Sequence, residues 1–125
     1  MQIREFICTA YVLRVIDGDT LEIDCDLGMH IRRTETVRLY GINAPETRGV
    51  VDKEPGRASK AFLETALLAK TVLVKTYKDK EKFGRLLAEI FLPIEGTPRV
   101  FSDESIGAVM IAKNLAVPYF GGKRD

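Results

Sequence analysis

Three short stretches place charge where packing does not ask for it: "VIDGDT" at 15–20, "VRLYGINAPE" at 37–46 and "KFGR" at 82–85. In the first, Asp17 and Asp19 flank Gly18 at the end of an apolar run through Val12, Leu13, Val15 and Ile16. Residues at i and i+2 of an extended chain point the same way, so these carboxylates repel unless a cation or solvent lies between them. Gly18 permits a bulge that would aim them together. In the second stretch, Asn43 and Glu46 follow an apolar strand, and Ala44 and Pro45 shape the turn between them. Hard cations such as Ca²⁺ take several oxygen ligands from carboxylates, amide carbonyls, backbone carbonyls and water. Asp17, Asp19, the Asn43 side-chain oxygen, the Ala44 carbonyl and Glu46 furnish such a set if the two turns meet. The plainer alternative is a pair of solvated turns.

The same stretches supply two arginines. Arg38 sits inside a strand between Val37 and Leu39, where a charge needs solvent or a partner. Arg85 follows Gly84 and opens the next strand. The planar guanidinium fork matches phosphate oxygens bidentately. Two such groups beside a carboxylate-bound cation would hold a phosphodiester and offset the charge that grows on its non-bridging oxygens. The competing assignment gives Arg38 an internal ion pair and leaves Arg85 as an exposed turn residue.

Something must bring these stretches together. The chain has 125 residues, a length that suits one domain. Residues 3–16 are rich in Ile, Phe, Tyr and Val and predict a strand. "TLEIDCDLG" alternates Leu21, Ile23, Cys25 and Leu27 against Glu22, Asp24 and Asp26, a half-buried strand closed by Gly28. A third strand is clearest over Val37–Ile42, and the charged, turn-rich residues 43–57 predict a long surface loop. Arg57–Lys70 carries apolar residues at 58, 61, 62, 66 and 69, widened by Leu63 and Leu67, which is helical spacing. "TVLVKTY" and "RLLAEIFLPI" predict two more strands. Ser102 or Asp103 could cap a second helix running to about Lys113, with Asn114 as its left-handed terminal residue. The order of strands and helices predicts a mainly β (α+β) domain with two or three helices. It fits a five-stranded OB-type Greek-key barrel with one helix between strands three and four and another at the C-terminal end.

Several chemistries are set aside on composition. His30 is the only histidine, which removes His-dependent zinc and Ser-His chemistry. Cys8 and Cys25 form no metal-ligand pattern and are expected to be reduced core or edge residues. The net charge is only +1, so contact with phosphate must come from local clusters. No stretch approaches the roughly 20 apolar residues of a membrane span. The first ten residues are broken by Arg4 and Glu5 and lack a signal-peptide core, so a cytoplasmic location is the expectation.

Taken together and in order, "VIDGDT", "RLYGINAPE", "EKFGRLLAEI" and "NLAVPYF" resemble the staphylococcal nuclease (thermonuclease-like) family, from about Tyr11 to Phe120. The resemblance implies a Ca²⁺-dependent phosphodiesterase acting on DNA and RNA and leaving 3′-phosphate ends. Single-stranded or locally open stretches are the expected substrate, and, with no sign of an oligomer in the sequence, a monomer without a membrane partner is the expectation. It implies Asp19 as principal calcium ligand, Asp17 as a nearby acid acting through water, Asn43 in place of a second aspartate ligand, and the Ala44 carbonyl as a backbone ligand. Glu46 would position or deprotonate the attacking water. Arg38 and Arg85 would grip the phosphate, Lys82 and Phe83 would flank the nucleotide, and Tyr119 would lie near the base or terminal phosphate. Asn43 keeps an oxygen but removes one negative charge, which weakens calcium binding. That departure keeps a second reading open, a catalytically weakened OB-type module that binds nucleic acid or protein.

Overall fold

The computed structural model describes residues 5–45, 54–77 and 84–120. Strands β1 (Glu5–Asp17), β2 (Thr20–Asp26) and β3 (Arg32–Leu39) form an antiparallel meander. Later in the chain, β1 also pairs with β5 (Thr71–Tyr77), which pairs with β6 (Leu86–Pro93). The ring closes where β6 runs parallel to β3, Val37 opposite Leu86 and Leu39 opposite Ala88. The result is the expected five-stranded barrel. One strand serves two neighbours because β1 is long: its first half pairs with β5 and its second with β2.

The inward faces follow from period-2 spacing: Leu21, Ile23 and Cys25 from β2, Val37 and Leu39 from β3, Val72 and Val74 from β5, and Ala88 and Ile90 from β6 are all buried. On β1 the phase slips. Ala10 and Val12 are buried, then Val15, three residues on, while Leu13 is exposed. Irregularities between Val12 and Arg14 and between Val15 and Asp17 absorb that slip, and they bend the strand toward the acid-bearing turn.

Helix α1 spans Glu54–Leu67, a turn earlier at both ends than the expected Arg57–Lys70. Pro55 falls in its first turn, where a missing N–H costs nothing, and so begins the helix rather than prolonging the loop. Its deepest face is Gly56, Ser59, Leu63 and Leu67, one step round from the 58/61/62/66/69 stripe. The helix stops because Ala69 takes φ 60° and turns its N–H to the Val12 carbonyl at 3.1 Å. Helix α2 is Ile106–Ala112, capped by Ser105, whose hydroxyl accepts from the Ala108 N–H at 3.1 Å. Ser102 and Asp103 are not the cap. They lie in β7 (Phe101–Ser105), which is drawn against β6, so the helix cannot begin until that pairing ends. Asn114, at φ 58°, follows α2 in the expected left-handed conformation.

Two further strands carry only two residues each. β4 (Ile42–Asn43) pairs with β8 (Val117–Pro118), Asn43 opposite Val117. Between β3 and β4 the chain turns at Gly41, with φ 84°, instead of running straight to Ile42. Cys25 lies in the barrel core with Cys8 packed against it, and both thiols are free. Among the described residues, no helix is long and apolar enough to cross a membrane.

Candidate functional site

The irregular end of β1 and the start of β2 form a tight hairpin, with Asp17 opposite Thr20 and Gly18 and Asp19 at its tip. Asp19 does not point into solvent. It is 7% exposed, and its two carboxylate oxygens are both held: Oδ1 accepts from the Thr20 hydroxyl and Oδ2 from the Ala44 N–H, each at 3.1 Å. The two turns of the sequence therefore meet. What Ala44 brings to Asp19 is its amide hydrogen. Gly18 makes the approach possible, since a Cβ there would stand 2.7 Å from the Ser59 Cβ and 2.8 Å from the Ala44 Cβ.

Arg38 stands opposite Thr20 across the β2–β3 ladder and is buried. Its Nη1 donates to the Leu39 and Ile42 carbonyls at 2.9 and 3.0 Å, and its Nη2 donates to Asn43 Oδ1. The same Nη2 lies 3.7 Å from Asp19 Oδ2. The internal ion pair is thus realised: a charge buried in a strand needs both a counterion and hydrogen-bond acceptors, and the end of β3 and β4 supply the acceptors. Arg85 is half-buried, not an exposed turn residue, and its Nη1 reaches the Thr20 hydroxyl at 3.4 Å. Thr20 therefore touches both Asp19 and Arg85. The parallel register of β3 and β6, Arg38 opposite Leu87, is what sets Arg85 at the Arg38 end of the barrel. Tyr119 completes the corner. Its N–H donates to the Gly41 carbonyl at 2.8 Å, and its ring centroid lies 5.7 Å from the Arg38 guanidinium carbon, within cation–π range.

The structure thus brings together Asp19, Asn43, Ala44, Arg38, Arg85 and Tyr119, with Asp17 at the foot of the same hairpin. Glu46, Lys82 and Phe83 lie outside the described residues. Among the described residues, no three of the His, Cys, Asp and Glu side chains cluster as a metal cage. The oxygens are nonetheless of the kind a hard cation takes: Asp19 Oδ2 and Asn43 Oδ1 converge on a single atom, Arg38 Nη2. A positive group already sits between them, so the donor set fits a cation in chemistry. With Asn43 neutral, one fewer negative charge is available to hold one.

Two contributors escape a reading of residue types alone. Thr20 is a small hydroxyl beside an acid, signalled only by its place in "DGDT". The other is an aromatic stack: Tyr40 lies on Tyr77 with centroids 3.9 Å apart, Phe120 meets Tyr40 edge-on at 5.7 Å, and the Tyr77 hydroxyl donates to Glu89. Its members are scattered along the chain and show no common spacing.

The fold and site together define an OB-type barrel with acids and arginines gathered beside its β1–β2 hairpin. The family of staphylococcal nuclease homologues matches residues 36–125, and this chain belongs to that family. Among its relatives, an uncharacterized endonuclease of Escherichia coli is 35% identical over 82 residues, 66% of this chain and 47% of that protein. A thermonuclease of Staphylococcus intermedius is 38% identical over 84 residues, 65% of this chain and 47% of its own length. A micrococcal nuclease of Shigella flexneri is 28% identical over 108 residues, 86% and 56% of the two chains. The chain spans about half the length of the curated relatives it matches.

Proposed function

We propose that this chain is a Ca²⁺-dependent nuclease that hydrolyses DNA and RNA at single-stranded or locally open stretches, leaving 3′-phosphate ends. The observation that carries this reading is the convergence of Asp19, Asn43, Arg38 and Arg85, from four separate segments, on one corner of the barrel. Asp19 and Asn43 would hold the calcium with the Ala44 carbonyl, and Asp17 would act through water. Calcium bound there supplies positive charge against the scissile phosphate. Arg85 donates to a non-bridging oxygen, and Arg38, once a phosphate offers a better acceptor than Asn43, does the same from the other side. Glu46 takes a proton from the attacking water as the 5′ oxygen leaves. Tyr119, with Lys82 and Phe83, holds the nucleotide, a flat ring offering a stacking face to any base.

A binding module without cleavage is the second reading. The neutral Asn43 and the internal hydrogen bonds of Arg38 favour it. Incubation with single-stranded DNA and with RNA, in Ca²⁺ or in chelator, separates the two. Calcium-dependent cutting that disappears in Glu46→Gln and Arg85→Ala variants supports the enzyme. Retention of the strand without cutting in any divalent metal supports the module.

A further inference from the structure

Ser59 is fully buried in the middle of α1. A helical serine ordinarily returns its hydroxyl to its own i−4 carbonyl. That acceptor, the Pro55 carbonyl, is within reach at 3.1 Å, yet the hydroxyl lies closer, at 2.5 Å, to the carbonyl of Leu115, 56 residues along the chain. A hydroxyl has one hydrogen to give. Both contacts have hydrogen-bond geometry, and the shorter one ties α1 to the segment that follows α2. That segment leads directly to the site. Ala116 is buried, Val117 and Pro118 pair with Asn43 and Ile42, and Tyr119 then donates to Gly41 and places its ring against Arg38.

The other side of Ser59 is equally constrained. Its Cβ is the atom that a Gly18 side chain would strike, so the helix, the acid-bearing hairpin and Ala44 press together with no room for another methyl. Alanine would fit that space but could not donate. Threonine could donate but would add a methyl. Serine alone is small enough and carries a hydroxyl.

We propose that Ser59 is a positioning residue for nucleic-acid binding, acting through its hydrogen bond to Leu115 to set the placement of Tyr119. This rests on the nuclease reading for the role of Tyr119, but its test does not depend on cleavage. The dissociation constant of a fluorescent single-stranded oligodeoxynucleotide is measured in chelator, well below the melting temperature of every variant. Ser59→Ala keeps the Cβ that backs Gly18 and removes only the donor. It is expected to weaken binding about five- to tenfold, the upper range for one net hydrogen bond. Tyr119→Ala weakens binding as well, and the double variant binds no worse than Tyr119→Ala alone, because Ser59 acts through that segment. A merely structural role would lower the melting temperature and leave the binding constant unchanged, which overturns the proposal. Additive losses in the double variant overturn it too, as does a Tyr119→Ala variant that binds normally while Ser59→Ala does not. If the unaltered chain fails to bind the oligonucleotide in chelator, this proposal falls, while the nuclease reading is decided separately by cutting in Ca²⁺. Binding with the expected coupling but no cutting in Ca²⁺ sinks the nuclease reading alone.

Discussion

Arg38 and Arg85 look alike in sequence, and their surroundings predict unequal losses of stability when each is replaced. Arg38→Met keeps an unbranched stem of similar bulk and removes the guanidinium. Arg38 is 5% exposed, so the change strands three buried acceptors, the Leu39 and Ile42 carbonyls and Asn43 Oδ1, and takes the counterion from Asp19. Removing one member of a buried pair costs about 3–5 kcal/mol. Asp19 keeps two hydrogen bonds, from Thr20 and Ala44, which points to the lower end. A loss of about 3 kcal/mol corresponds to a fall of roughly 10 °C in Tm for a domain of this size. Arg85 reaches the Thr20 hydroxyl only at 3.4 Å and stands half-buried, so Arg85→Ala should cost less than Arg38→Met, about 1–2 kcal/mol. Urea titration followed by circular dichroism reads both changes from the midpoint, with the slope m as a check that the comparison is two-state. An Arg38→Met protein within about 1 kcal/mol of the unaltered chain, or an Arg85→Ala protein that loses as much as Arg38→Met, would refute the reasoning. Activity assays on Arg38 variants must therefore be run far below the shifted melting point.

Placing a carboxylate at the proposed ligand position, Asn43→Asp, should tighten Ca²⁺ binding by about tenfold or more, since affinity follows ligand charge. Calorimetric titration of the metal without nucleic acid measures this, and an unchanged dissociation constant would remove residue 43 from the ligand set. The two thiols should react unequally. A hydrogen bond from the Cys25 thiol pulls the Cys8 thiol below the ordinary range, while that same bond, burial and the nearby Glu35 and Asp24 carboxylates push Cys25 far above it. In the native protein at pH 8, iodoacetamide should label Cys8 first and spare Cys25 until the chain unfolds, as peptide mass analysis would show. Cys25 stays protonated in the fold, whereas an unfolded thiol ionises near pH 8.5. The stability it contributes is present below that pH and declines as pH rises above it, with the lowered Cys8 offsetting part of the loss.

The barrel was legible because β2 obeys period-2 burial, with Leu21, Ile23 and Cys25 inward as its alternation marks, although Leu27 falls beyond the strand and is exposed, and because β3, β5 and β6 are runs of strand-forming residues. The three charged stretches were legible because each breaks such a pattern at a strand end. Other features depend on contacts that have no local signature. Arg38 declares in sequence that it needs a partner, but its acceptors are the carbonyls of Leu39 and Ile42 and the Asn43 side chain, which only the fold brings to its guanidinium. β4 and β8 are two residues each, too short to show any period. Pro55 reads equally well as a loop breaker and as a first-turn residue. Ser102, Asp103 and Ser105 are all chemically able to cap α2, and the pairing of β7 with β6 decides for the last of them. Ser59 is one small polar residue in a helix, and its importance rests on Leu115, far along the chain.

The pairing of Ile42–Asn43 with Val117–Pro118 also sets an order in time. Contacts between such distant parts of a polypeptide form late, because the entropy of closing the intervening loop must be met first. A ribosome adds about 5–20 residues per second. On that scale several seconds separate the emergence of the Asn43 strand from that of its partner. Throughout that interval the nascent chain is tethered beside its own messenger RNA with one wall of the corner still unmade. The corner is whole only after β8 has docked, so the site on which the proposed activity depends is assembled by a step that waits for residues more than seventy positions further along the chain.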